Sequence, residues 1–258
     1  MAMTAAATVV FMIGDPVAQT VMPGVVNAEA QAGGLDLGMV PLHVPPAGLA
    51  GFVSALRDWG NVRGFVATAP HKQALMNLVD RVEGAAAACG AVNIVFRGAD
   101  GALVGDNIDG VGFVGALRLN GFDPRGARVM QFGCGGAGAS IAYALAQAGA
   151  TDLALADPEA GRIAALQDRL GGVCRVAGPN DLAMADLIVN ATAIGLDGVS
   201  MVDPLDATKS GALIADIVTK PPVTPFLQRA RGLGLRIQTG AQMAEAQVKM
   251  ALERFALE

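Results

Sequence analysis

The feature that most constrains this chain is a glycine pattern directly after an apolar strand. Residues 129–132 lead into Gly-Cys-Gly-Gly-Ala-Gly at 133–138, and an apolar helical pattern follows at 141–148. A strand that turns sharply into a helix needs its first glycine for the turn, its second so that the backbone can approach a pyrophosphate, and its last for helix-to-strand packing. The helix N-terminus then faces the phosphates with unpaired amides. The residues predicted to form this cofactor-binding turn are Gly133, Gly135, Gly136, Ala137 and Gly138.

A chain with 34 glycines can contain this glycine spacing by chance. The residues that follow it strengthen the prediction of a dinucleotide site. A second apolar strand at 153–156 ends in Asp157, 19 residues after Gly138, where the dinucleotide-binding fold places an acid on the adenosine ribose. Such a carboxylate accepts the ribose hydroxyls and repels a 2′-phosphate, so we expect NAD rather than NADP. Arg162, one helical turn further on, is placed to reach a 2′-phosphate and leaves NADP open. The alternative is that Asp157 is a turn residue before Pro158.

Composition narrows the class of protein. The chain has 258 residues, enough for one large domain or two modest ones, and is 53% hydrophobic without a stretch as long as a membrane span. Residues 1–12 lack a basic segment and a small-residue cleavage site, and they predict a first strand rather than a signal peptide. The net charge of −5 and the absence of a Lys/Arg cluster argue against nucleic acid. We expect a cytoplasmic protein with a small-molecule substrate and no membrane partner.

The possible metal ligands are sparse. The three cysteines, Cys89, Cys134 and Cys174, are widely spaced in apolar surroundings, and the two histidines are His43 and His71. This pattern predicts neither a disulfide framework nor a zinc site, so we expect metal-independent chemistry.

Hydrophobic patterning predicts an α/β fold with two domains. Strands are predicted at 8–13, 38–43 and 64–68, helices at 24–32, 46–59 and 72–79, and a hairpin at 91–96 and 103–105. This alternation predicts an N-terminal α/β substrate domain with a mainly parallel sheet. After a helix at 109–119, the predicted strands of a doubly wound Rossmann domain are 129–132, 153–156, 187–190 and 213–216.

The last helix, predicted at 241–255, has apolar residues placed to pack on the first domain. We therefore predict a discontinuous substrate-binding and catalytic domain, residues 1–110 plus 239–258. The Rossmann domain for NAD(P) is predicted at 111–238, with the ligand cleft between the two.

Two short segments carry groups that could do chemistry. In 68–72, Thr-Ala-Pro-His-Lys, a proline sets the chain direction and Lys72 stands at the start of a predicted helix, from which it can point into a cleft. The alternative is a solvated surface lysine. In 105–113, two acids and an asparagine lie in a glycine-flanked loop before a helix, where Asp109 alone would be a helix N-cap.

Together these segments and the nucleotide turn resemble the shikimate dehydrogenase family, which includes quinate dehydrogenases. The resemblance runs over nearly the full length. The matching segments are Ile-Gly-Asp-Pro-Val at 13–17 with Pro23 and Asn27, Thr-Ala-Pro-His-Lys at 68–72, Gly-Ala-Val-Asn at 90–93, Asn-Ile-Asp-Gly at 107–110, Asn-Ala-Thr at 190–192, Asp-Ile-Val at 216–218, Thr-Pro at 224–225, and Gly240 with Met243 and Gln247.

The resemblance implies hydride transfer between a nicotinamide and a ring hydroxyl carbon, with Lys72 and Asp109 as the catalytic pair. Oxidising an alcohol requires removal of the hydroxyl proton as the hydride leaves, and a lysine amine can take it. The substrate-binding residues implied by the resemblance are Thr20, Met22, Thr68, Asn93, Thr219 and Gln247. The further cofactor-binding residues it implies are Asn190, Thr192 and Gly240.

The departures from the family pattern concentrate where the family binds the substrate carboxylate. Its Ser-x-Ser pair is Thr20-Val21-Met22 here, the Tyr after Asp-x-Val is Thr219, and the Asn of its Asn-Val-Thr segment is Val66. Losing two hydrogen bonds to a charged group would cost about 3 to 6 kcal/mol, roughly a hundred- to ten-thousandfold in specificity constant. The chain is then either a drifted shikimate enzyme or a relative that acts on another cyclic polyol.

The cofactor side departs as well. Where the family's NADP enzymes carry Asn-Arg-Thr, this chain has Asp-Pro-Glu at 157–159, without the arginine that clamps a 2′-phosphate.

Two other functions stay open as alternatives, a non-catalytic NAD(H)-binding sensor and a dehydrogenase of folate-like ligands. The family contains both monomers and homodimers.

Overall fold

A computed structural model describes residues 4–256 of the chain. The strands are β1 (Thr8–Gly14), β2 (Leu37–His43), β3 (Val62–Ala67), β4 (Arg81–Val82), β5 (Ile94–Arg97), β6 (Leu103–Asp106), β7 (Arg128–Phe132), β8 (Asp152–Ala156), β9 (Cys174–Val176), β10 (Leu187–Asn190), β11 (Leu213–Asp216) and β12 (Arg236–Gln238). The α-helices are α1 (Met22–Ala32), α2 (Leu49–Leu56), α3 (Gly84–Cys89), α4 (Asp109–Leu119), α5 (Gly136–Gln147), α6 (Ala160–Leu170), α7 (Asp181–Met184), α8 (Pro225–Gly232) and α9 (Gly240–Ala256).

The chain divides into two compact units. Unit 1 runs to Ile108 and resumes at Gln247, and unit 2 is Asp109–Ala246. These limits differ from the predicted boundaries at 110 and 239. The reason is that α4 begins at Asp109, while α9 is one continuous helix whose first turns belong to unit 2 and whose later turns belong to unit 1.

Unit 1 is built on a six-stranded sheet in the order β2-β1-β3-β5-β6-β4. Strand β1 pairs in parallel with β2 and β3, and β4 pairs in parallel with β6. The predicted hairpin is confirmed, since β5 and β6 are antiparallel with Ile94 opposite Asp106. The sheet is therefore mainly parallel, as predicted.

Both faces of this sheet are covered by helices. On one face, Met39 and Ile94 of the sheet pack with Val26 of α1 and Phe255 of α9. On the other face, strand residues including Phe65 pack with the apolar stripe of α2 and with α3. Alternate residues of each strand thus enter opposite cores, which explains the near-continuous apolar strands of the sequence.

Unit 2 is a fully parallel sheet in the order β12-β11-β10-β7-β8-β9. The first strand along the chain, β7, lies in the middle, and the chain winds outward from it first in one direction and then in the other. This is the predicted doubly wound Rossmann order, in which ligands bind beyond the carboxyl ends of the central strands. Ile188 and Ile214 pack against Phe226 and Leu227 of α8 on one face.

One predicted helix is wrong. Residues 72–79 contain only a 3₁₀ turn at Ala74–Asn77, so Lys72 lies in the turn before it and not at the start of a helix. The carbonyl of Lys72 accepts the amide of Val92 at 2.8 Å and is thereby withdrawn from a helical ladder. The predicted helix at 46–59 is shorter, because Pro46–Gly48 forms a separate 3₁₀ turn before α2.

Three strands were not predicted. Strands β4, β9 and β12 have only two or three residues each, too few to show a period in the sequence. Of the first strand predicted within 1–12, residues 1–3 lie outside the described part of the chain, and the observed strand starts at Thr8. Among residues 4–256, no helix is both long and apolar enough to span a membrane.

Candidate active site

The glycine turn of unit 2 has the geometry that its sequence predicts. Gly133 has φ +93°, and a Cβ there would lie 2.7 Å from the carbonyl oxygen of Ala191. A Cβ on Gly138 would collide with the carbonyl oxygen of Gly133. Gly135 differs, because a Cβ there would meet no heavy atom within 4 Å. The protein itself therefore requires the first and last glycines, whereas the middle one leaves open space beside the backbone.

The turn ends at the N-terminus of α5. This helix begins at Gly136, and within the described chain no side chain caps it at Gly135. The first amides of a helix lack intrahelical partners and carry partial positive charge, which suits an anion. Together with the open space at Gly135, the uncapped helix start fits a pyrophosphate.

Asp157 follows β8 and reaches the turn. Its Oδ2 accepts the Cys134 amide at 2.7 Å and its Oδ1 accepts the Glu159 amide at 2.9 Å. The side chain is 3% exposed, and Arg162 approaches it at 3.7 Å while pairing with Glu159 at 2.7 Å. Both readings of the sequence are thus present in one residue, since Asp157 orders its own turn and also places a carboxylate beside the glycine loop. Arg162 has two acidic neighbours.

The thiol under the turn is shielded from solvent. Cys134 is 3% exposed, and burial, reinforced by the nearby charge of Asp157, raises the pKa of its thiol to about 12. Burial likewise raises the pKa of Cys174 to about 11. Both groups are neutral thiols at physiological pH. Within residues 4–256, no group of three His, Cys, Asp or Glu side chains is arranged to hold a metal ion.

The ends of β10 and β11 form the neighbouring part of the same edge. Asn190 accepts the amide and the hydroxyl of Thr192 through Oδ1, at 3.0 and 2.7 Å, and donates to the Ile194 carbonyl at 2.9 Å. The side chain of Asn190 is fully buried, so it shapes the loop that presents Thr192. A Cβ on Gly240 would lie 2.5 Å from the carbonyl oxygens of Ile217 and Val218, so only glycine lets α9 start against this backbone.

Asp216, the last residue of β11, stabilises this edge of the sheet through hydrogen bonds. Its carboxylate accepts the Val218 amide at 2.9 Å and the Thr224 hydroxyl at 2.7 Å, and it is 1% exposed. Burial raises the pKa of Asp216, while the hydrogen bonds from Thr224 and Val218 oppose that rise. Asp216 thereby connects β11 to the N-terminus of α8 and to the segment that carries Thr219, which is half-buried.

In unit 1, Asn93 organises the loop that leads to Asp109. Its Oδ1 accepts the Ile108 amide at 2.8 Å, and its backbone amide donates to the Asp106 carbonyl at 3.0 Å. Asn107 donates to the Ala91 carbonyl at 2.7 Å. Asn93 and Asn107 are both buried. The two asparagines of the Gly-Ala-Val-Asn and Asn-Ile-Asp-Gly segments therefore lie together, which their sequence separation does not reveal.

Asp106 is a brace of this loop that sequence reasoning missed. Its Oδ1 accepts the Asn107 amide at 2.7 Å and its Oδ2 pairs with Arg254 of α9 at 2.7 Å. The Arg254 guanidinium lies 5.3 Å from the Phe96 ring centroid. The position of Asp106 beside Asn107 was the available signal, but its partner, Arg254, lies far away in the sequence and cannot be found from a local pattern.

Lys72 and Thr68 lie near the carboxyl end of β3. The Thr68 amide donates to the Ile13 carbonyl at 2.9 Å, and Gly14 is packed so closely that a Cβ there would collide with Thr68. Lys72 is half-buried in the following turn, next to His71, whose Nε2 lies 2.8 Å from the Val44 carbonyl oxygen. Lys72 belongs to unit 1, whereas Asp109 is the first residue of unit 2 and 5% exposed.

The loop after β1 contains two hydrogen bonds from its own side chains. The Thr20 hydroxyl donates to the Val17 carbonyl at 2.8 Å, and Gln19 donates to the Pro16 carbonyl at 2.9 Å. Met22, predicted to contact substrate, is 4% exposed and packs in the apolar core under α1. Contact of the Met22 thioether with a substrate stays a prediction. Gln247 on α9 is 5% exposed in unit 1.

Comparison with known proteins agrees with this architecture. The family described as shikimate dehydrogenase substrate binding domain matches residues 12–95. A shikimate dehydrogenase (NADP(+)) of Citrifermentans bemidjiense is 38% identical over 97% of this chain and 90% of its own length.

Two solved structures extend the comparison. Quinate dehydrogenase from Corynebacterium glutamicum in complex with NAD superposes with a TM-score of 0.84 at 30% identity, over 97% of this chain and 94% of that one. Ligand-free 5-ketofructose reductase of Gluconobacter sp. superposes with a TM-score of 0.82 at 28% identity, over 97% and 93%. The near-complete coverage and the shared fold lead to one conclusion: this chain belongs to the shikimate dehydrogenase family.

Proposed function

We propose that this protein is an oxidoreductase that transfers a hydride between NAD(P) and a ring hydroxyl of shikimate, quinate or a related cyclic polyol. The observation that carries the proposal is the uncapped start of α5 behind an open Gly135, on the central strand of a doubly wound sheet. The near-full-length similarity to a shikimate dehydrogenase and a quinate dehydrogenase supports the same reaction. Unit 1 would hold the polyol, and unit 2 would hold the dinucleotide.

Lys72 and Asp109 are the proposed catalytic residues. In the oxidation direction, a bound nicotinamide would accept the hydride released from the carbinol C–H bond. The hydroxyl O–H bond breaks at the same carbinol, and the Lys72 Nζ accepts the proton as the carbonyl forms. The carboxylate of Asp109 would keep the resulting ammonium oriented, and Asn93 and Gln247 would hydrogen-bond the other hydroxyls of the ring.

For the cofactor we propose a preference for NAD over NADP. Asp157 and Glu159 place two carboxylates at the end of β8, and Arg162 pairs with Glu159 at 2.7 Å. A 2′-phosphate would enter next to these negative charges and would compete with them for one guanidinium, whereas a 2′-hydroxyl can donate to Asp157. The similar quinate dehydrogenase was solved with NAD, while the similar curated shikimate dehydrogenase is named for NADP(+).

A second candidate within the same reaction class is a cyclic alcohol other than shikimate. It is favoured by the loop after β1 up to the first residue of α1, residues 15–22, which we call the substrate loop. The two positions of the family's Ser-x-Ser pair are Thr20, which donates to the Val17 carbonyl, and Met22, which lies in the core. A carboxylate would therefore find at most one hydroxyl here. The similar 5-ketofructose reductase is named for a substrate without a carboxylate.

The test is the initial rate of nicotinamide reduction on shikimate and on quinate, each with NAD and with NADP. Turnover of either acid with NAD would support the main proposal. Silence in all four assays, with NADH still bound, would move the assignment to another cyclic alcohol. Binding without turnover on a panel of cyclic alcohols would contradict catalysis and favour a sensor, and absence of binding to either cofactor would overturn the proposal altogether.

A further inference from the structure

Gln131 is a polar residue in a strand that is buried on both faces, where apolar side chains are the rule. It lies on β7, the central strand of the unit 2 sheet, between Met130 and the aromatic Phe132. The side chain is fully buried. An uncharged amide in such a place costs free energy unless its hydrogen bonds are replaced, so its presence calls for a reason.

The amide nitrogen ties the two ends of the glycine turn together. Nε2 donates to the Gly133 carbonyl at 2.9 Å and to the Gly138 carbonyl at 2.9 Å. These are the first and last glycines of the motif, the two that the protein's own packing requires. One NH₂ group therefore fixes the separation between the end of β7 and the first turn of α5.

The amide oxygen has no such partner. Among the described residues, Oε1 of Gln131 is buried and accepts no hydrogen bond. A buried acceptor without a donor weakens the folded state, and an apolar side chain of similar size would avoid that loss. This loss offsets part of what the two Nε2 hydrogen bonds contribute to folding, so stability alone does not account for glutamine at this position. Within residues 4–256, the groups to which its nitrogen donates both belong to the turn.

We propose that Gln131 is a positioning residue of the cofactor site. By holding the Gly133 and Gly138 carbonyls on one amide, it sets the direction in which the first amides of α5 face a pyrophosphate. It acts through the turn and does not itself touch the ligand. This inference rests on the proposed function for the identity of the ligand, but its signature, affinity lost without stability lost, is its own.

The experiment compares Gln131→Met with Gln238→Met in the full chain. Gln238 is the matched control, since it is a fully buried glutamine on β12 of the same sheet, with long contacts of 3.4 Å to Asn120 and Phe113. The probe is NADH, titrated by its fluorescence, and thermal melting is measured without ligand. With Gln131→Met we expect the NADH dissociation constant to rise about five- to thirtyfold and the melting temperature to change little, because loss of the two Nε2 hydrogen bonds and removal of the unpaired amide oxygen act in opposite directions. Gln238→Met should leave the dissociation constant within twofold.

Kinetics give a second readout. Gln131→Met should raise KM for the dinucleotide while kcat at saturating dinucleotide stays within twofold, because the reacting groups are not moved. Affinity within twofold of the parent would overturn the proposal, as would a loss of melting temperature that matches the loss of affinity. Gln131→Leu serves as a second apolar variant, and failure of both to fold would contradict the proposal by placing the role of Gln131 in the fold. A parent protein that binds neither NADH nor NADPH would instead refute the proposed function.

Discussion

The turn after β7 and the loop after β1 occupy equivalent places, each at the carboxyl end of a parallel strand, yet they differ in how far they depend on side chains of their own. The turn after β7 is held from outside itself, by Gln131 on the strand and by Asp157 from β8. The loop after β1 also uses contacts of its own, with Gln19 and Thr20 donating to the Pro16 and Val17 carbonyls. Its outside contacts are at its start, where the Asp15 carboxylate lies 2.6 Å from His43 Nε2 and the Asp15 amide donates to the Ala69 carbonyl at 3.1 Å.

The difference teaches where each region can change. Neighbouring strands fix the backbone of the first turn, so its amides can face a ligand even when its exposed side chains change. Its glycine pattern can therefore be recognised in the sequence. A loop fixed partly by its own polar side chains can change shape when one of them changes. The first arrangement suits a cofactor common to a family, and the second suits substrate selection.

The largest expected effect breaks the turn directly. Gly138→Ala would drive a methyl group into the Gly133 carbonyl oxygen, with no flexible side chain to give way. We expect NADH binding to weaken at least about a hundredfold and the free energy of unfolding to fall by about 1 to 3 kcal/mol. The control is Gly161→Ala in α6, where a Cβ meets nothing within 4 Å. Calorimetric titration and urea unfolding measure both quantities, and Gly138→Ala binding within threefold of the parent would contradict this view of the turn.

A smaller effect changes the chemistry of the turn and keeps its shape. Asp157→Asn retains an acceptor for the Cys134 amide but removes the negative charge that opposes a 2′-phosphate. We expect the ratio of kcat/KM for NAD to that for NADP to fall about tenfold. Asp152→Asn, at the opposite end of β8 and paired with Arg175, should leave the ratio unchanged. An unchanged ratio in Asp157→Asn would show that cofactor choice is made elsewhere.

The substrate loop should respond on a smaller scale and in the other half of the reaction. Thr20→Val removes the 2.8 Å hydrogen bond to Val17 and should lower the free energy of unfolding by about 0.5 to 1.5 kcal/mol. KM for the polyol should rise while NADH affinity stays constant. Thr208→Val is a suitable control, because among the described residues the Thr208 hydroxyl is buried without a hydrogen-bond partner. A change of NADH affinity in Thr20→Val would erase the distinction between the two regions.

The last prediction concerns titration of the Cys134 thiol, which does not affect stability at neutral pH. Burial raises the pKa of Cys134 to about 12 from an ordinary 9.0, so the folded state holds this proton more tightly than the unfolded state. The associated stability is complete below pH 9 and is lost as pH rises from 9 toward 12, at about 1.4 kcal/mol per pH unit at most. Urea unfolding at pH 8 and pH 10 should show a smaller decline for Cys134→Ala than for the parent. An equal decline would mean that the thiol titrates normally.

Features that depend on neighbouring residues could be predicted from the sequence, whereas features that depend on distant residues could not. The four longer strands of unit 2, the helix after the glycine turn and the turn itself depend on local periodicity and backbone sterics, which single segments record. The turn at Lys72 was mispredicted because a distant amide, that of Val92, takes the Lys72 carbonyl. Pairings such as Asp106 with Arg254 join residues far apart in the chain and leave no local pattern.

The site was predicted in a similarly uneven way. Asp157 was expected at the ribose, and the structure adds that its carboxylate also orders the turn through the Cys134 amide. Met22 was placed in the substrate site by its alignment with a family hydroxyl, but a thioether is apolar and packs in the core. Resemblance predicts the position, whereas the chemistry of the residue that now occupies it decides what it can contact.

The central claim is that this chain moves a hydride with Lys72 as the proton acceptor. The most direct measurement is kcat for NAD-linked oxidation of quinate or shikimate by the parent, by Lys72→Ala and by Lys249→Ala, whose lysine is 87% exposed. We predict that Lys72→Ala lowers kcat by about 10² to 10⁴ while NADH affinity stays within twofold, and that Lys249→Ala matches the parent. A Lys72→Ala enzyme that turns over within a few-fold of the parent would contradict the account.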